Sequence, residues 1–173
     1  MNPKNTTVAV LMGSKSDLPG LKSAFETFKE FGVPFTARVM SAHRTPDIAS
    51  DFAKNAEASG IKVIICAAGM AAHLGGVVAA HTTLPVIGLP MASEPFKGLD
   101  ALLATVQMPP GIPVAAVTVG NAGAKNAALY AISILALSDV CLSEKIKDFR
   151  KKQTEKVIEA DKSLQDELNS GNF

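Results

Sequence analysis

The sequence predicts an α/β fold: a parallel β-sheet between two layers of helices, with one long helix added at the C-terminus. Three observations predict it. Short β-type runs alternate with helical stretches, the pattern that crossover connections produce. The clearest of these runs, Val8 to Met12, is apolar at every position rather than at alternate ones, as a strand covered on both faces requires. Near residue 142 the composition changes from small and apolar to mixed charge over a thin apolar stripe.

Val8-Ala9-Val10-Leu11-Met12 is the first strand, ended by Gly13. Leu18, Leu21, Phe25 and Phe28 then fall at helical spacing, and Gly32 stops that helix. Phe35 to Met40 reads as a second strand. Thr45-Pro46 supplies an N-cap hydroxyl and a proline at the first helical position of a helix that runs to about Ser59-Gly60. Strand three is Val63 to Cys66, followed by a helix from about Ala72 to Thr82, and strand four is Pro85 to Leu89. A short helix near Leu99 to Val106 precedes a fifth strand near Val114 to Val117. Asn126 to Leu137 is apolar almost all round, so that helix needs cover on more than one side, from the sheet and from another subunit. Five strands with crossover helices give a three-layer, flavodoxin-like or Rossmann-like sandwich. From Leu142 to Leu168 a helix of about 40 Å is predicted, its stripe formed by Leu142, Ile146, Phe149, Val157 and Leu164. An overhanging stripe needs somewhere to pack, and an arm laid across a neighbouring subunit supplies it. Residues 1–141 are therefore read as the α/β catalytic domain and 142–173 as a helical extension of it.

At 173 residues the chain suits one domain that buries roughly 70% of the surface its unfolded form exposes. A formal charge of +1, no Trp and a single Tyr offer neither the field nor the stacking surfaces that nucleic acid requires. The partners expected are small molecules or other protein chains. Cys66 and Cys141 have no paired spacing, and Cys66, at the end of an apolar run, reads as a buried free thiol. Met1 to Thr7 is polar, without the hydrophobic core of a signal, and no run approaches the ~18 apolar residues that span a bilayer. A cytoplasmic protein with no membrane partner is expected.

In an open parallel sheet, ligands bind outside the carboxyl ends of the strands, near the point where the winding reverses. The segments there are Gly13-Ser14-Lys15-Ser16-Asp17, Ser41-Ala42-His43-Arg44-Thr45-Pro46 and Ala67-Ala68-Gly69-Met70-Ala71-Ala72-His73-Leu74. The first is neither a dinucleotide fingerprint nor a P-loop. Its hydroxyls, carboxylate and free amides suit phosphate and ribose, although Ser16 or Asp17 would equally serve as an N-cap. In the second, Arg44 offers a planar fork of donors for a phosphate, and His43 is the side chain suited to moving a proton near neutral pH. The third is small enough for a flat ligand to lie against backbone, or for tight strand-to-helix packing. His73, in the first helical turn, points into the cleft or caps a neighbour. His81 reads as a surface residue near the helix C-terminus.

Taken with Gln107-Met108-Pro109, Gly111-Ile112-Pro113 and Asn126-Ala127-Ala128-Leu129, these segments resemble the bacterial N5-carboxyaminoimidazole ribonucleotide mutase family, in order and spacing, over roughly residues 8–140. The resemblance implies a three-layer parallel sheet assembled as a homo-octamer, active sites where subunits meet, a ribonucleotide substrate, and neither metal nor organic cofactor. Carried over by position, it implies that Ser14, Asp17, Ser41 and Arg44 hold the ribose and phosphate, with Ser16 a further substrate-binding candidate. Ala68, Gly69, His73 and Leu74, in the third segment, would close over the imidazole and carboxyl group, and His43 would transfer the proton. Met70 stands where the family often has a second Gly, Gly75 where Pro is common, and Ala92-Ser93-Glu94-Pro95-Phe96-Lys97 departs from the usual stretch. Two rivals remain: a sister enzyme that carboxylates aminoimidazole ribonucleotide directly with carbon dioxide, and a non-catalytic flavodoxin-like nucleotide-binding module. The second leaves His43 without a purpose.

Overall fold

A computed structural model of the chain describes residues 6–171, so the polar stretch before Thr6 and the last two positions lie outside the described residues. Among these residues five strands form one parallel sheet: β1 (Val8–Met12), β2 (Phe35–Val39), β3 (Val63–Ala68), β4 (Val86–Pro90) and β5 (Ala115–Ala116). Their order is β2-β1-β3-β4-β5, the flavodoxin-like winding. Direction reverses on either side of β1, so the crevice lies over the carboxyl ends of β1 and β3. The register pairs Leu11 with Arg38 on one side and with Cys66 on the other.

Every residue of β1 is buried, and Val8, Val10 and Leu11 are fully so. Each fully buried aliphatic side chain contributes about 1.5–3 kcal/mol. Alternation sends Ala9, Leu11, Ile64, Cys66 and Val86 into one core, covered by α2 (Pro46–Ala56) and α3 (Leu74–Ala79). The opposite face meets α1 (Lys22–Phe31) and the front of α5 (Gly120–Ala136), where a Cβ on Gly123 would lie 2.8 Å from Leu89 Cδ1. Ser23 Oγ donates to Asn121 O at 3.0 Å and ties these two helices together. In α1 the buried Ala24, Thr27, Phe28 and Phe31 form one stripe, and Gly32, at φ 72°, ends it. Val33 N then donates to Phe28 O, closing the last turn.

Several boundaries differ from those expected. The helix after β1 starts at Lys22 rather than near Leu18. Lys15–Leu21 wind as a 3-10 segment, because Pro19 has no N–H for an α-helical ladder. α2 ends at Ala56, not near Gly60. Ser59 and left-handed Gly60 (φ 88°) only fold the chain back onto the helix's last carbonyls. α3 is confined to Leu74–Ala79, since glycine and β-branched residues are weak helix formers and Pro85 forces extension before it. β5 spans two residues only. α5 begins six positions before the expected Asn126. Its glycine-containing start reads as loop, yet Gly123 is there because a Cβ would overlap the Thr118 carbonyl.

Gly88 marks the closest approach of helix to sheet. A Cβ there would overlap the Thr105 methyl of α4 (Leu99–Val106) and stand 3.0 Å from Val114 Cγ1. Gly75 of α3 lies on the same spot, 4.0 Å from Gly88 Cα as measured from its absent Cβ. From Gly75 these are ordinary contact distances for a Cβ, so the packing does not itself require glycine at position 75. Gly88→Ala is expected to destabilise the protein by about 1–3 kcal/mol, as overpacking does, measured by chemical denaturation.

The chain divides into two units, one ending at Ile134 and one beginning at Leu135. Within the second, α6 (Val140–Ser170) runs 31 residues, about 46 Å. Asp139 caps it by accepting from Leu142 N at 3.0 Å, and Gly171, at φ 71°, ends it. Val157, Ile158, Leu164 and Leu168 are exposed along it. Among the described residues no helix is long and apolar enough to cross a membrane.

Candidate active site

At the carboxyl edge of the sheet the backbone ladder continues past the strands. Gly13 N donates to Ala67 O (3.1 Å), Met40 N to Met12 O (3.0 Å) and Met91 N to Ala68 O (2.9 Å). These bonds hold four loops side by side around a cleft of about 650 Å³. Ser14, Ser16, Asp17, Ser41, His43, Arg44, Ala68, Gly69 and Leu74 all line it. His73 does not line the cleft; it reaches it through His43.

The first loop is a capping box, but its N-cap is Ser14, not Ser16 or Asp17. Ser14 Oγ accepts from Ser16 N (3.2 Å) and Ser16 Oγ (2.7 Å), and Asp17 Oδ2 accepts from Ser14 N (3.1 Å). Capping therefore fixes the loop without using up its chemistry. A hydroxyl has two acceptor positions and one donor, so Ser14, with both acceptor positions taken, presents its O–H to the cleft as a donor. Burial pushes the Asp17 carboxyl above its ordinary value, partly offset by the bond from Ser14 N. The folded protein thus holds that proton more tightly than the unfolded chain. The contribution favours the fold at low pH and fades as pH rises through the folded value. A ligand hydroxyl donating to the carboxylate offsets that loss.

The second loop is tied to itself. Thr45 Oγ1 accepts from Ser41 N (2.9 Å) and donates to Ser41 O (3.2 Å) instead of capping α2, the role expected of it. Ser41 Oγ accepts from His43 N (3.3 Å) and Arg44 N (3.2 Å), which leaves its O–H, like that of Ser14, to donate. Arg44 spends one N–H on Gly13 O (3.1 Å), joining the two loops, and its remaining donors face the cleft. Two hydroxyl donors and a guanidinium converging on one wall form a site for an anion.

His43 Nε2 and His73 Nδ1 lie 2.8 Å apart with the rings edge-on at 84°. One ring donates and the other accepts, the roles being set by the tautomers. His73 sits at the N-cap position of α3 but makes no capping bond; its partner is His43. His81 lies beyond the end of α3, half-buried, its Nδ1 2.8 Å from Val77 O. The Cys66 thiol lies buried in β3, and burial pushes its pKa up, which keeps it protonated and inert.

Met70 stands on the cleft wall at φ 56°, left-handed and 62% exposed. A non-glycine residue there costs roughly 1 kcal/mol, the physical reason for a glycine at this position elsewhere. One wall residue, Ser93, just beyond β4, entered the sequence reading only as part of the departing stretch Ala92–Lys97 and not as a site residue. The rule that singled out the first three strand ends applies equally to the fourth.

The sequence model described as AIR carboxylase matches residues 7–156. The chain belongs to the AIR carboxylase family. Within that family, a Brucella melitensis protein named N5-carboxyaminoimidazole ribonucleotide mutase is 52% identical over 152 residues, covering 88% of this chain and 94% of the relative. A Saccharolobus solfataricus protein of the same name is 56% identical over 142 residues, 82% of this chain and 89% of its own. The crystal structure of Treponema denticola PurE superposes with a TM-score of 0.83 at 32% identity, covering 92% of this chain and 98% of that one. The AIR carboxylase match begins at the residue before β1 and takes in all four cleft loops.

Proposed function

We propose that the protein is an N5-carboxyaminoimidazole ribonucleotide mutase acting in purine biosynthesis. It would convert N5-carboxyaminoimidazole ribonucleotide to 4-carboxy-5-aminoimidazole ribonucleotide. The observation that carries this reading is the meeting, in one cleft, of an anion-holding wall, Ser14, Ser41 and Arg44, with His43, which is paired to His73 behind it. The mutase names of relatives about half identical to this chain support it.

The substrate carries a carbamate on an exocyclic amine. Ser14, Ser16, Ser41 and Arg44 hold its phosphate, and Asp17 accepts from a ribose hydroxyl. His43, protonated, gives its proton to the carbamate nitrogen; the C–N bond breaks, releasing carbon dioxide and the amine. The loop from Ala68 to Leu74 keeps water out and the gas beside ring carbon C4. C4 attacks it, forming the C–C bond, and His43 removes the hydrogen left on C4, which restores the starting protonation state. His73 keeps the His43 ring in place and shares its proton. Replacing it, His73→Phe, is expected to lower kcat on the order of tenfold, the worth of one hydrogen bond of about 1.4 kcal/mol, with little change in KM.

The assembly proposed is a homo-octamer in the cytoplasm, with α6 laid as an arm on a neighbouring subunit, supported by its exposed Val157, Ile158 and Leu164. The second reading, direct carboxylation of aminoimidazole ribonucleotide, draws on the family's own description. One assay separates the two: fresh N5-carboxyaminoimidazole ribonucleotide without ATP or metal and with little bicarbonate, beside aminoimidazole ribonucleotide plus bicarbonate. Rapid conversion of the first alone is expected. Conversion of the second alone overturns the mutase, and silence in both overturns catalysis.

A further inference from the structure

Among the described residues two buried side-chain oxygens meet no hydrogen-bond partner, Ser93 Oγ and Asp100 Oδ1. Of the two, only Ser93 lines the cleft; Asp100 sits in the first turn of α4. Ser93 is held there by the backbone. Met91 N donates to Ala68 O at the end of β3, and two residues on, Ser93 Oγ lies 3.5 Å from where a Cβ on Gly69 would stand. That places the hydroxyl against Gly69 of the third loop.

A hydroxyl withdrawn from water without a partner costs stability, and an alanine at the same place would fit without that cost. The hydroxyl gains a partner when something enters the cleft.

Which part of a ligand it meets follows from strand order. The anion-holding groups Ser14, Ser41 and Arg44 follow β1 and β2, whereas Ser93 follows β4, on the other side of β3. Neighbouring strands are about 4.8 Å apart, so Ser93 stands roughly 10 Å across the sheet edge from the β1 loop. A nucleotide with its phosphate at β1 and β2 places its base, and the base's substituents, towards β3 and β4.

We propose that Ser93 is a substrate contact, its hydroxyl donating a hydrogen bond to the carboxylate that the reaction moves. The proposal rests on the mutase reading above, and its test separates the two. With Ser93→Ala, kcat/KM for N5-carboxyaminoimidazole ribonucleotide falls about tenfold or more, the scale of a hydrogen bond to a charged group. The product, 4-carboxy-5-aminoimidazole ribonucleotide, binds more weakly by a similar factor. Aminoimidazole ribonucleotide, which has no carboxylate, binds as it does to the wild type. The melting temperature is unchanged or raised, since an unpartnered hydroxyl has been removed.

Unchanged kinetics and product affinity overturn the proposal, as does an equal loss of affinity for both nucleotides. A lowered melting temperature with unchanged kcat/KM assigns Ser93 a purely structural role and overturns it too. A wild type that binds both nucleotides but turns over neither substrate overturns the mutase reading and leaves the binding comparison to decide on Ser93. A wild type that binds neither overturns both.

Discussion

His43→Asn is expected to abolish turnover, lowering kcat by on the order of 10²–10⁴-fold, the share that a positioned proton donor and acceptor supplies. Affinity for the product should stay within a few-fold of the wild type. Asparagine keeps a planar polar group of similar reach but cannot take up a proton, so the two proton steps at the carbamate nitrogen and at C4 lose their agent. The backbone at this position is unaffected, because His43 N rather than its ring bonds Ser41 Oγ. The loop should keep its shape and the anion wall its geometry. Single-turnover kinetics with a parallel binding titration measures both quantities. Near-normal kcat in the variant removes His43 from the reaction, and a large loss of affinity means that it holds substrate instead.

The second large effect is at Arg44. Arg44→Ala should raise KM and weaken product binding by about 1.5–3 kcal/mol, roughly 10- to 150-fold, the range for a hydrogen bond to a charged group. The guanidinium is exposed on the cleft and bonded to Gly13 O, so its removal also unties the second loop from the first. Arg44→Lys separates these contributions: it keeps a charge but loses the planar fork, and should recover only part of the affinity. Raising the salt concentration should weaken the wild type towards the Ala variant, since the lost interaction is between charges. An unchanged KM and kcat takes Arg44 out of the site.

Much of this arrangement is legible in the residues themselves. The winding could be read because Val8–Met12 and Val63–Cys66 are apolar at consecutive positions and Gly32 stands where a helix must stop. The cleft followed from strand ends, a consequence of topology alone. Distances between loops could not be read. His43 and His73 are thirty positions apart, and nothing in their spacing says that the two rings touch. The same holds for Thr45, whose hydroxyl prefers Ser41 to the helix it precedes. The periodicity also misplaced the starts of α1 and α5: Pro19 locally denies the first an α-helical ladder, and at Gly123 a tertiary fit overrides helix propensity. Ser93 stood out only as part of a departing stretch, since an unpartnered hydroxyl is a property of its surroundings, not of serine.

The loop from Ser41 to Thr45 closes on itself through five hydrogen bonds, none reaching outside those five residues. It therefore behaves as a cassette. Its backbone is set by its own sequence, while the two groups it presents are steadied from outside, the Arg44 guanidinium by Gly13 O and the His43 ring by His73. Within the cassette tolerance is low. Ser41 and Thr45 each serve as both donor and acceptor, and the ring needs a hydroxyl at both positions. The backbone beneath the site is thus insulated from change elsewhere in the chain, at the cost of near-rigidity in one short segment, whereas the side chains it presents answer to the first and third loops.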